Sequence, residues 1–394
     1  MTMPATRNAI GALGQATRDY RMGLLKELMD REKVDALAFM SEGLIKFASN
    51  WSLDVASFER PTLFVFPRHG QPFGILHELS TNSWRFAADS SGVWVSNVYF
   101  YTEHPRLSDR LPLSLQWNGM VASHLERVGL NHARIGTDGE ETARIANTRL
   151  GLKFVGELLP RLRWDNVAAQ CAALTVVKHA EEIALIRESA ALTNWGQERW
   201  REEAKRGLLT AEVDQKVAAL IVAEAARRYP PGVELAVFCQ TLSSPRTWFG
   251  TAPSDRITPG NSYVTAINAQ INALGATNER TRFCGKPSHR QVQLLDAVRT
   301  ASEAACSSAI VGRPASDVSR AAQSVFDRTG FARFALETDS GTGAALQPRQ
   351  MISASAGLYE WGTGGFRHSD VVLVGEKPEP LTTTPKDLVS QTLP

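Results

Sequence analysis

The spacing of apolar residues changes about two fifths of the way along this 394-residue chain, and that change limits the possible folds more than any single motif. Residues 1–165 alternate short apolar runs with amphipathic helical stretches, a pattern typical of an α/β domain. Residues 166–394 instead open with two long helical stretches, 180–204 and 211–229, followed by strands and helices in blocks, which indicates an α+β domain. A chain of this length can support two cores, so we predict two domains with these boundaries.

The predicted elements can be placed within each domain. In the first domain we predict helices at 18–33, 115–128 and 140–150, and strands at 34–40, 62–66, 73–76, 93–100 and 134–137. In the second domain further helices are predicted at 291–310 and 315–329, and strands at 235–239, 263–267, 351–355 and 370–374. The last fifteen residues are expected to form a loose tail.

Composition argues against several classes of partner. The net charge is only +2 and no basic block is present, so neither nucleic acid nor an anionic membrane is expected to bind. No apolar run is long enough to span a bilayer, and residues 1–20 lack the apolar core of a secretion signal. The four cysteines stand far apart, which predicts reduced thiols rather than disulfides or a zinc site. We therefore expect a cytoplasmic protein.

Separated segments carry motifs in a consistent order. The stretch 177–187 contains Lys178, Glu181 and Arg187 at a helix entrance, and 365–370 reads Gly-Phe-Arg-His-Ser-Asp. Together with 18–37, 134–138 and 268–282, these segments resemble the creatinase/aminopeptidase P family, whose fold is called the pita bread. The resemblance implies an α/β N-terminal domain and an α+β pita-bread C-terminal domain, whose pocket faces the partner subunit of a homodimer.

The residues that bind metal in that family are replaced in this chain. The resemblance places the two aspartate positions on Asn268 and Glu279, and the later histidine and glutamate positions on Ser340, Ser355 and Ser369. A divalent cation needs several anionic or imidazole ligands that converge on one point. One carboxylate among amides and hydroxyls does not meet this need, so we predict neither a metal nor another cofactor.

Proton transfer must then depend on other groups. Glu279 is the one acid left at those positions, and desolvation would raise its pKa towards general acid–base work unless Arg367 or Arg282 opposes the shift. Asp339 and Tyr359 are further candidates for proton transfer. For each of these residues a purely structural role is the alternative.

The replaced ligands also predict a polar, uncharged pocket. Candidate substrate-binding residues are Asn268, Asn278, Ser340, Ser355, Arg367 and Ser369, although each alone could equally bind water. The family's proton-shuttling histidine falls near Phe249 or Gly250, and we expect the neighbouring Trp248 to stack a planar group at the pocket mouth. His368 is expected to point away from Ser369, because adjacent strand residues alternate. Cys239 has no visible base beside it.

The segment 57–61 reads Ser-Phe-Glu-Arg-Pro and resembles a creatinase segment that reaches into the pocket of the neighbouring subunit. By this resemblance Phe58 lines the pocket, and Arg60 offers a planar fork to a substrate carboxylate. The alternatives are a core or interface aromatic residue for Phe58 and a surface arginine for Arg60.

Three functions remain open on the sequence. The first is a metal-independent, creatinase-like enzyme that hydrolyses a C–N bond in a small carboxylate-bearing nitrogen compound. The second is a lyase, cyclase or decarboxylase that uses the same pocket, since no clear activator of water remains. The third is a non-catalytic binding protein. The presence of residues 57–61 favours a small-molecule site, and fold alone decides none of the three.

The same segment predicts the oligomeric state. Because Arg60 has a role at the pocket only across a subunit interface, we expect a homodimer whose interface buries well over ~1,000 Å². Light scattering on the purified chain checks the mass, and a monomer would contradict the resemblance at residues 57–61.

Overall fold

A computed structural model describes residues 13–54, 60–90, 92–102, 113–138, 146–230, 233–243, 254–335 and 343–393. The chain divides into two compact units, one from Ala12 to Val176 and the other from Val177 onwards. The boundary therefore falls after residue 176, where the sequence pattern placed it after residue 165. The reason is that Val167, Cys171 and Leu174 pack into an apolar core of the first unit.

The first unit contains a six-stranded mixed sheet with the strand order β4-β3-β2-β1-β5-β6. The strands are β1 Ala36–Phe39, β2 Leu63–Pro67, β3 Phe73–His77, β4 Asn97–Tyr101, β5 Arg134–Thr137 and β6 Arg163–Asn166. The helices are α1 Gln15–Glu32, α2 Glu42–Ser49, α3 Thr81–Ser90, α4 Leu113–Arg127, α5 Ala146–Leu158 and α6 Ala168–Ala172, with 3₁₀ turns at Glu78–Ser80 and Ala173–Thr175.

Strand alternation gives this sheet two apolar cores. Leu37 and Phe39 of β1 pack into one buried cluster, whereas Ala36 and Ala38 pack into another. A sheet that buries both faces is typical of α/β domains, and its strands read as continuous apolar runs. This confirms the α/β class predicted for the first domain.

The second unit contains an antiparallel sheet with the order β11-β12-β10-β8-β7, to which β13 and β9 add short pairings. The strands are β7 Leu235–Ser243, β8 Ser262–Ile271, β9 Leu274–Gly275, β10 Asn278–Phe283, β11 Met351–Glu360, β12 Gly364–Leu373 and β13 Glu379–Pro380. The helices are α7 Ala180–Glu203, α8 Thr210–Arg228, α9 His289–Ser307, α10 Ser316–Thr329 and α11 Leu388–Gln391, with a 3₁₀ turn at Ala332–Phe334.

Local signals explain where two of these helices begin. The backbone N–H of His179 donates to the Glu182 carboxylate at 2.7 Å, and this reciprocal cap starts α7 at the predicted residue. Ser288 and Gln291 form the same type of cap at the start of α9. Strand β10 was not predicted, because its sequence Asn-Glu-Arg-Thr-Arg-Phe lacks an apolar run, yet all six residues are buried.

The helices cover one face of the second sheet. Alternate residues Ala354, Ala356 and Leu358 of β11 pack into an apolar core with residues of α9 and α10, including Leu294 and Val325. Because side chains alternate along a strand, the residues between them point to the opposite face. That opposite face carries the candidate site described below.

The end of the chain is packed rather than loose. Leu381, Thr384 and Leu393 are buried, and the backbone N–H of Leu393 donates to the carbonyl oxygen of Phe283 in β10 at 2.8 Å. The expectation of a loose tail is therefore wrong. Polar residues dominate this segment, and sequence patterning does not reveal that they hydrogen-bond to buried strands.

The four cysteines are unpaired, and three of them (Cys171, Cys284 and Cys306) are buried. Burial raises the pKa of the Cys171 thiol to about 12. Burial also raises the pKa of the Cys239 thiol, and the negative charge of Asp214 raises it further. Neither thiol is therefore primed as a nucleophile. Within the residues that the structure describes, no helix combines the length and apolar character needed to cross a membrane.

Asp214 connects three elements of the second unit. Its carboxylate accepts hydrogen bonds from Trp200 Nε1 of α7 at 2.7 Å, from the backbone N–H of Thr241 in β7 at 2.7 Å and from the Thr241 hydroxyl at 3.0 Å. These groups are all buried and cannot hydrogen-bond to water, so the Asp214 carboxylate is the acceptor for all three donors.

We predict that Asp214→Ala lowers the free energy of unfolding by about 3 kcal/mol or more, since each buried donor left without an acceptor costs about 1–3 kcal/mol. Urea unfolding followed by tryptophan fluorescence measures the change. Asp296→Ala, at an exposed position on α9, is the matched control and should stay within about 0.5 kcal/mol of the unmodified protein. Equal stabilities of the two variants would contradict the role given to Asp214.

Candidate active site

One face of the second sheet gathers polar side chains from four strands. Glu279 of β10 lies opposite Ser369 of β12, and Ser369 lies opposite Ser355 of β11. On the other side Glu279 pairs with Ala266 of β8, so Asn268, two residues further along, points to the same face. Four of the five positions that the resemblance assigns to metal ligands therefore share this face.

Some of the predicted site residues lie outside the described residues. They are Phe58, Trp248, Phe249, Asp339 and Ser340. Arg60, in the first unit, is partly buried.

Glu279 forms an ion pair with Arg367. Nε of Arg367 lies 2.6 Å from Glu279 Oε2, and the two side chains are 24% and 8% exposed, respectively. The arginine stem crosses Gly357, where a Cβ atom would lie 3.4 Å from Arg367 Cγ. Thr281 fixes the backbone of Arg367, because its hydroxyl oxygen accepts the Arg367 N–H at 2.9 Å. The register that sets Arg367 opposite Gly357 thus directs the guanidinium towards the carboxylate.

The pKa values of Glu279, Arg367 and Tyr359 depend on one another. Burial raises the pKa of Glu279 above its ordinary value, and the positive charge of Arg367 is the strongest influence in the opposite direction. Burial also raises the pKa of the Tyr359 hydroxyl, again opposed by Arg367. Burial acts to lower the pKa of Arg367, but Glu279 and Tyr359 raise it above its ordinary value. The three groups therefore form one electrostatically coupled cluster.

Three serine hydroxyls meet beside this cluster. Ser355 Oγ donates to Ser369 Oγ at 2.6 Å, and Ser353 Oγ lies 3.1 Å from Ser369 Oγ. Ser369 is buried, Ser355 is partly buried and Ser353 is exposed. Ser353 was not among the predicted site residues, although its spacing of two from Ser355 was a usable signal.

Asn268 presents an acceptor that the described residues leave without a partner. Its Oδ1 atom is buried and accepts no hydrogen bond from them. A Cβ atom at Gly275 would lie only 2.5 Å from this oxygen, so a glycine there allows β9 to pass over the amide. A bound molecule with an N–H or O–H group could meet this acceptor.

The structure does not bring Asn278 into the cluster, against the sequence expectation. It is adjacent to Glu279, so its side chain points to the helix-covered face, where Nδ2 lies 3.3 Å from Asp370 Oδ1. His368 lies on the same face, as alternation predicted. Burial lowers the pKa of His368 well below its ordinary value, and the charges of Arg280 and Lys386 act in the same direction. This imidazole is therefore neutral and remote from the candidate site.

The arrangement does not fit the divalent cation that the resemblance implies. Within the described ranges, no group of three or more His, Cys, Asp or Glu side chains is placed to hold a metal ion. Glu279 already has the guanidinium of Arg367 at 2.6 Å, and its neighbours Ser355, Ser369 and Asn268 carry no charge. A dication beside Glu279 would lie next to the positive guanidinium of Arg367. One carboxylate would then have to balance the charge of both cations.

Comparisons with known proteins agree with this fold. A sequence model of metallopeptidase family M24 matches residues 184–376. An uncharacterised hydrolase/peptidase of Sinorhizobium fredii, y4tL, is 28% identical over 192 residues, which make up 48% of this chain and 47% of that protein. The match therefore spans about half of that relative.

Solved structures share the fold over almost the whole chain. The dipeptidase PepE of Mycobacterium ulcerans has a TM-score of 0.74 at 22% identity and covers 98% of this chain and 100% of its own. The prolidase of Pyrococcus horikoshii has a TM-score of 0.73 at 17% identity, with 94% and 99% covered. The N-terminal domain of the FACT complex subunit SPT16 from chickpea has a TM-score of 0.69 at 15% identity, with 97% and 100% covered.

These likenesses show the fold, and the family model matches most of the second domain. The sheet that carries Asn268, Glu279, Ser355 and Ser369 lies within the matched residues. Over residues 184–376 the chain therefore resembles metallopeptidase family M24, and it has the pita-bread fold that the prolidase and dipeptidase structures share.

Proposed function

We propose that the protein is a metal-independent hydrolase of the peptidase type, which cleaves a C–N bond in a small carboxylate-bearing nitrogen compound. The observation that carries the proposal is the Glu279–Arg367 pair, which puts a buried carboxylate and a partly exposed guanidinium at the centre of the polar face. The family match supports the hydrolase class, and the likeness to an uncharacterised hydrolase/peptidase agrees with it.

Glu279 is the proton-transfer group in this proposal. A general base works best when its pKa lies near the operating pH, and burial shifts Glu279 in that direction. Serine and asparagine side chains at the other replaced positions are poor bases on their own. No other carboxylate among the described residues shares this part of the sheet face.

Arg367 and Tyr359 supply the electrophilic half of the reaction. Arg367 directs Nε to Glu279, so its two terminal nitrogens keep N–H donors for other acceptors. Donors that point to an oxygen on which negative charge develops stabilise the transition state of acyl transfer. We assign this role to the Arg367 guanidinium, with the Tyr359 hydroxyl coupled to it.

The substrate class follows from the charge of the site. Glu279 and Arg367 neutralise each other, so the pocket wall is polar with almost no net charge. A carboxylate on the substrate then needs its own cation. We propose Arg60 of a second copy for this role, as the resemblance of residues 57–61 implies.

We predict that Glu279→Gln lowers turnover by about 10²-fold or more, the usual scale of general acid–base catalysis, while the fold is preserved. The assay is hydrolysis of a panel of N-acyl amino acids and ureido and guanidino acids. Glu303→Gln, on the exposed surface of α9, is the matched control. Near-normal turnover in folded Glu279→Gln would refute the assignment, and binding without turnover by the unmodified protein would favour a binding function.

The coupling between Glu279 and Arg367 predicts a pH effect. Arg367→Gln removes the charge that lowers the pKa of Glu279, so that pKa rises further. Since a base must be deprotonated to work, the acidic limb of the pH–rate profile should move to higher pH. Arg313→Gln, at an exposed position, should leave the limb in place. An unmoved limb in Arg367→Gln would show that Glu279 does not set it.

We also predict that the purified protein retains no stoichiometric divalent metal and that chelators leave its turnover unchanged. Elemental analysis and activity after dialysis against EDTA measure both. A triple variant serves as the positive comparison and combines Asn268→Asp, Ser355→Glu and Ser369→Glu. It places three more carboxylates beside Glu279, so Mn²⁺ should stabilise it against heat more than it stabilises the unmodified protein. One tightly held ion per unmodified chain would contradict the proposal.

A further inference from the structure

Three residues form a straight row across three neighbouring strands. Ser355 of β11 lies directly opposite Ser369 of β12, which in turn lies directly opposite Glu279 of β10. Side chains of directly opposed residues have Cβ atoms about 4.5–5.5 Å apart, a spacing that short polar side chains can bridge. The register of the sheet therefore sets the order of this row.

The hydrogen bond between the two serines of the row has Ser355 as its donor. A serine hydroxyl donates one hydrogen bond and accepts up to two. Ser369 Oγ accepts from Ser355 at 2.6 Å and can accept from Ser353 at 3.1 Å, which leaves its own proton for Glu279. Ser369 lies directly opposite Glu279, so its hydroxyl is placed to donate to the carboxylate. The row thus leads from a serine proton to a carboxylate acceptor.

The two ends of the row differ in their access to solvent. Glu279 and Ser369 are buried, with 6% and 1% exposure, whereas Ser355 is only partly buried. A substrate on this face can touch the Ser355 hydroxyl, while the carboxylate that would take its proton stays shielded from water. A nucleophile backed by a base in this order is the arrangement that covalent hydrolases need.

We infer that Ser355 is a nucleophile activated through Ser369 by Glu279. The inference rests on the proposed function, because it assigns the covalent step of that hydrolysis. Ser353 is the other accessible hydroxyl, but it lies opposite Val371 rather than Ser369, and its oxygen is 3.1 Å instead of 2.6 Å from Ser369 Oγ. Ser355 is therefore the residue in line with the base.

The chemistry balances without a further reactant besides water. Ser355 Oγ bonds to the acyl carbon while its proton moves to Ser369 Oγ and the Ser369 proton moves to Glu279. The C–N bond then breaks, its electron pair stays on nitrogen, and that nitrogen takes up the proton held by Glu279 through the same hydroxyls. Water attacks the resulting ester, gives one proton back along the row to Ser355 Oγ and completes the carboxylic acid.

Phosphonylation tests this assignment without a known substrate. The full chain is treated with a fluorophosphonate, and intact mass with peptide mapping locates the adduct. We expect one adduct on Ser355, none at this position in Ser355→Ala, and a rate lower by about 10²-fold in Ser369→Ala, since the relay to the base is cut. Ser307→Ala, at an exposed serine of α9, should react like the unmodified protein. An adduct on Ser353, equal rates in Ser369→Ala or no adduct would overturn the inference.

A second variant keeps the test valid if Ser355→Ala unfolds. Ser355→Cys preserves the size of the side chain, and iodoacetamide should alkylate position 355 faster than in the double variant with Ser369→Ala.

Failure of this inference is separable from failure of the proposed function. Amide turnover that survives Ser355→Ala within about twofold overturns the nucleophile and leaves the hydrolase, whereas an adduct on Ser355 without amide turnover supports the nucleophile and refutes the substrate class.

Discussion

The buried ion pair between Arg280 and Asp370 is the interaction on which the site depends. Arg280 Nη2 lies 2.7 Å from Asp370 Oδ1, and both side chains are almost completely inaccessible. The same guanidinium donates to the carbonyl oxygens of Glu279, Ser369 and Thr384, so it joins β10, β12 and the end of the chain. Removal of one partner would leave an uncompensated buried charge, a loss of about 3–5 kcal/mol. The pair thus fixes the register that sets Glu279 opposite Ser369.

Because side chains alternate along each strand, this register gives the sheet two faces that carry different groups of residues. Residues 278, 280 and 282 of β10 point to the helices and serve stability, whereas Glu279 points to the polar face. Burial is the strongest single influence on the pKa of Asp370 and raises it. The charges of Arg280 and Lys386 together outweigh burial and hold this pKa below its ordinary value. Adjacent residues in one strand therefore differ in function for a geometric reason.

The same alternation shows which parts of the site could be predicted from the sequence. The spacing of Asn268 and Glu279 and the resemblance at Ser355 and Ser369 assigned these residues to one site, and the structure places them on one face. Asn278 was misplaced because family spacing identifies a segment and not the direction of each side chain. The contact of Arg367 with Glu279 was not predictable in detail, since it depends on the register that sets Arg367 opposite Gly357 and on the Thr281 bond to the arginine backbone.

The charges on the two faces bear on the proposal that the site works without a metal. Arg280 and Lys386 pair with Asp370 on the helix-covered face, and Arg367 pairs with Glu279 on the polar face. Arg282 is fully buried and hydrogen-bonds neutral oxygens of Gln197 and Ser390, and desolvation lowers its pKa only to about 9, so it stays charged near neutral pH. A dication beside Glu279 would be repelled by the Arg367 guanidinium, whereas a developing oxyanion could accept hydrogen bonds from its remaining N–H donors. The hydroxyls of Ser355 and Ser369 add no charge, so in the proposed serine relay Glu279 is the group that accepts the proton.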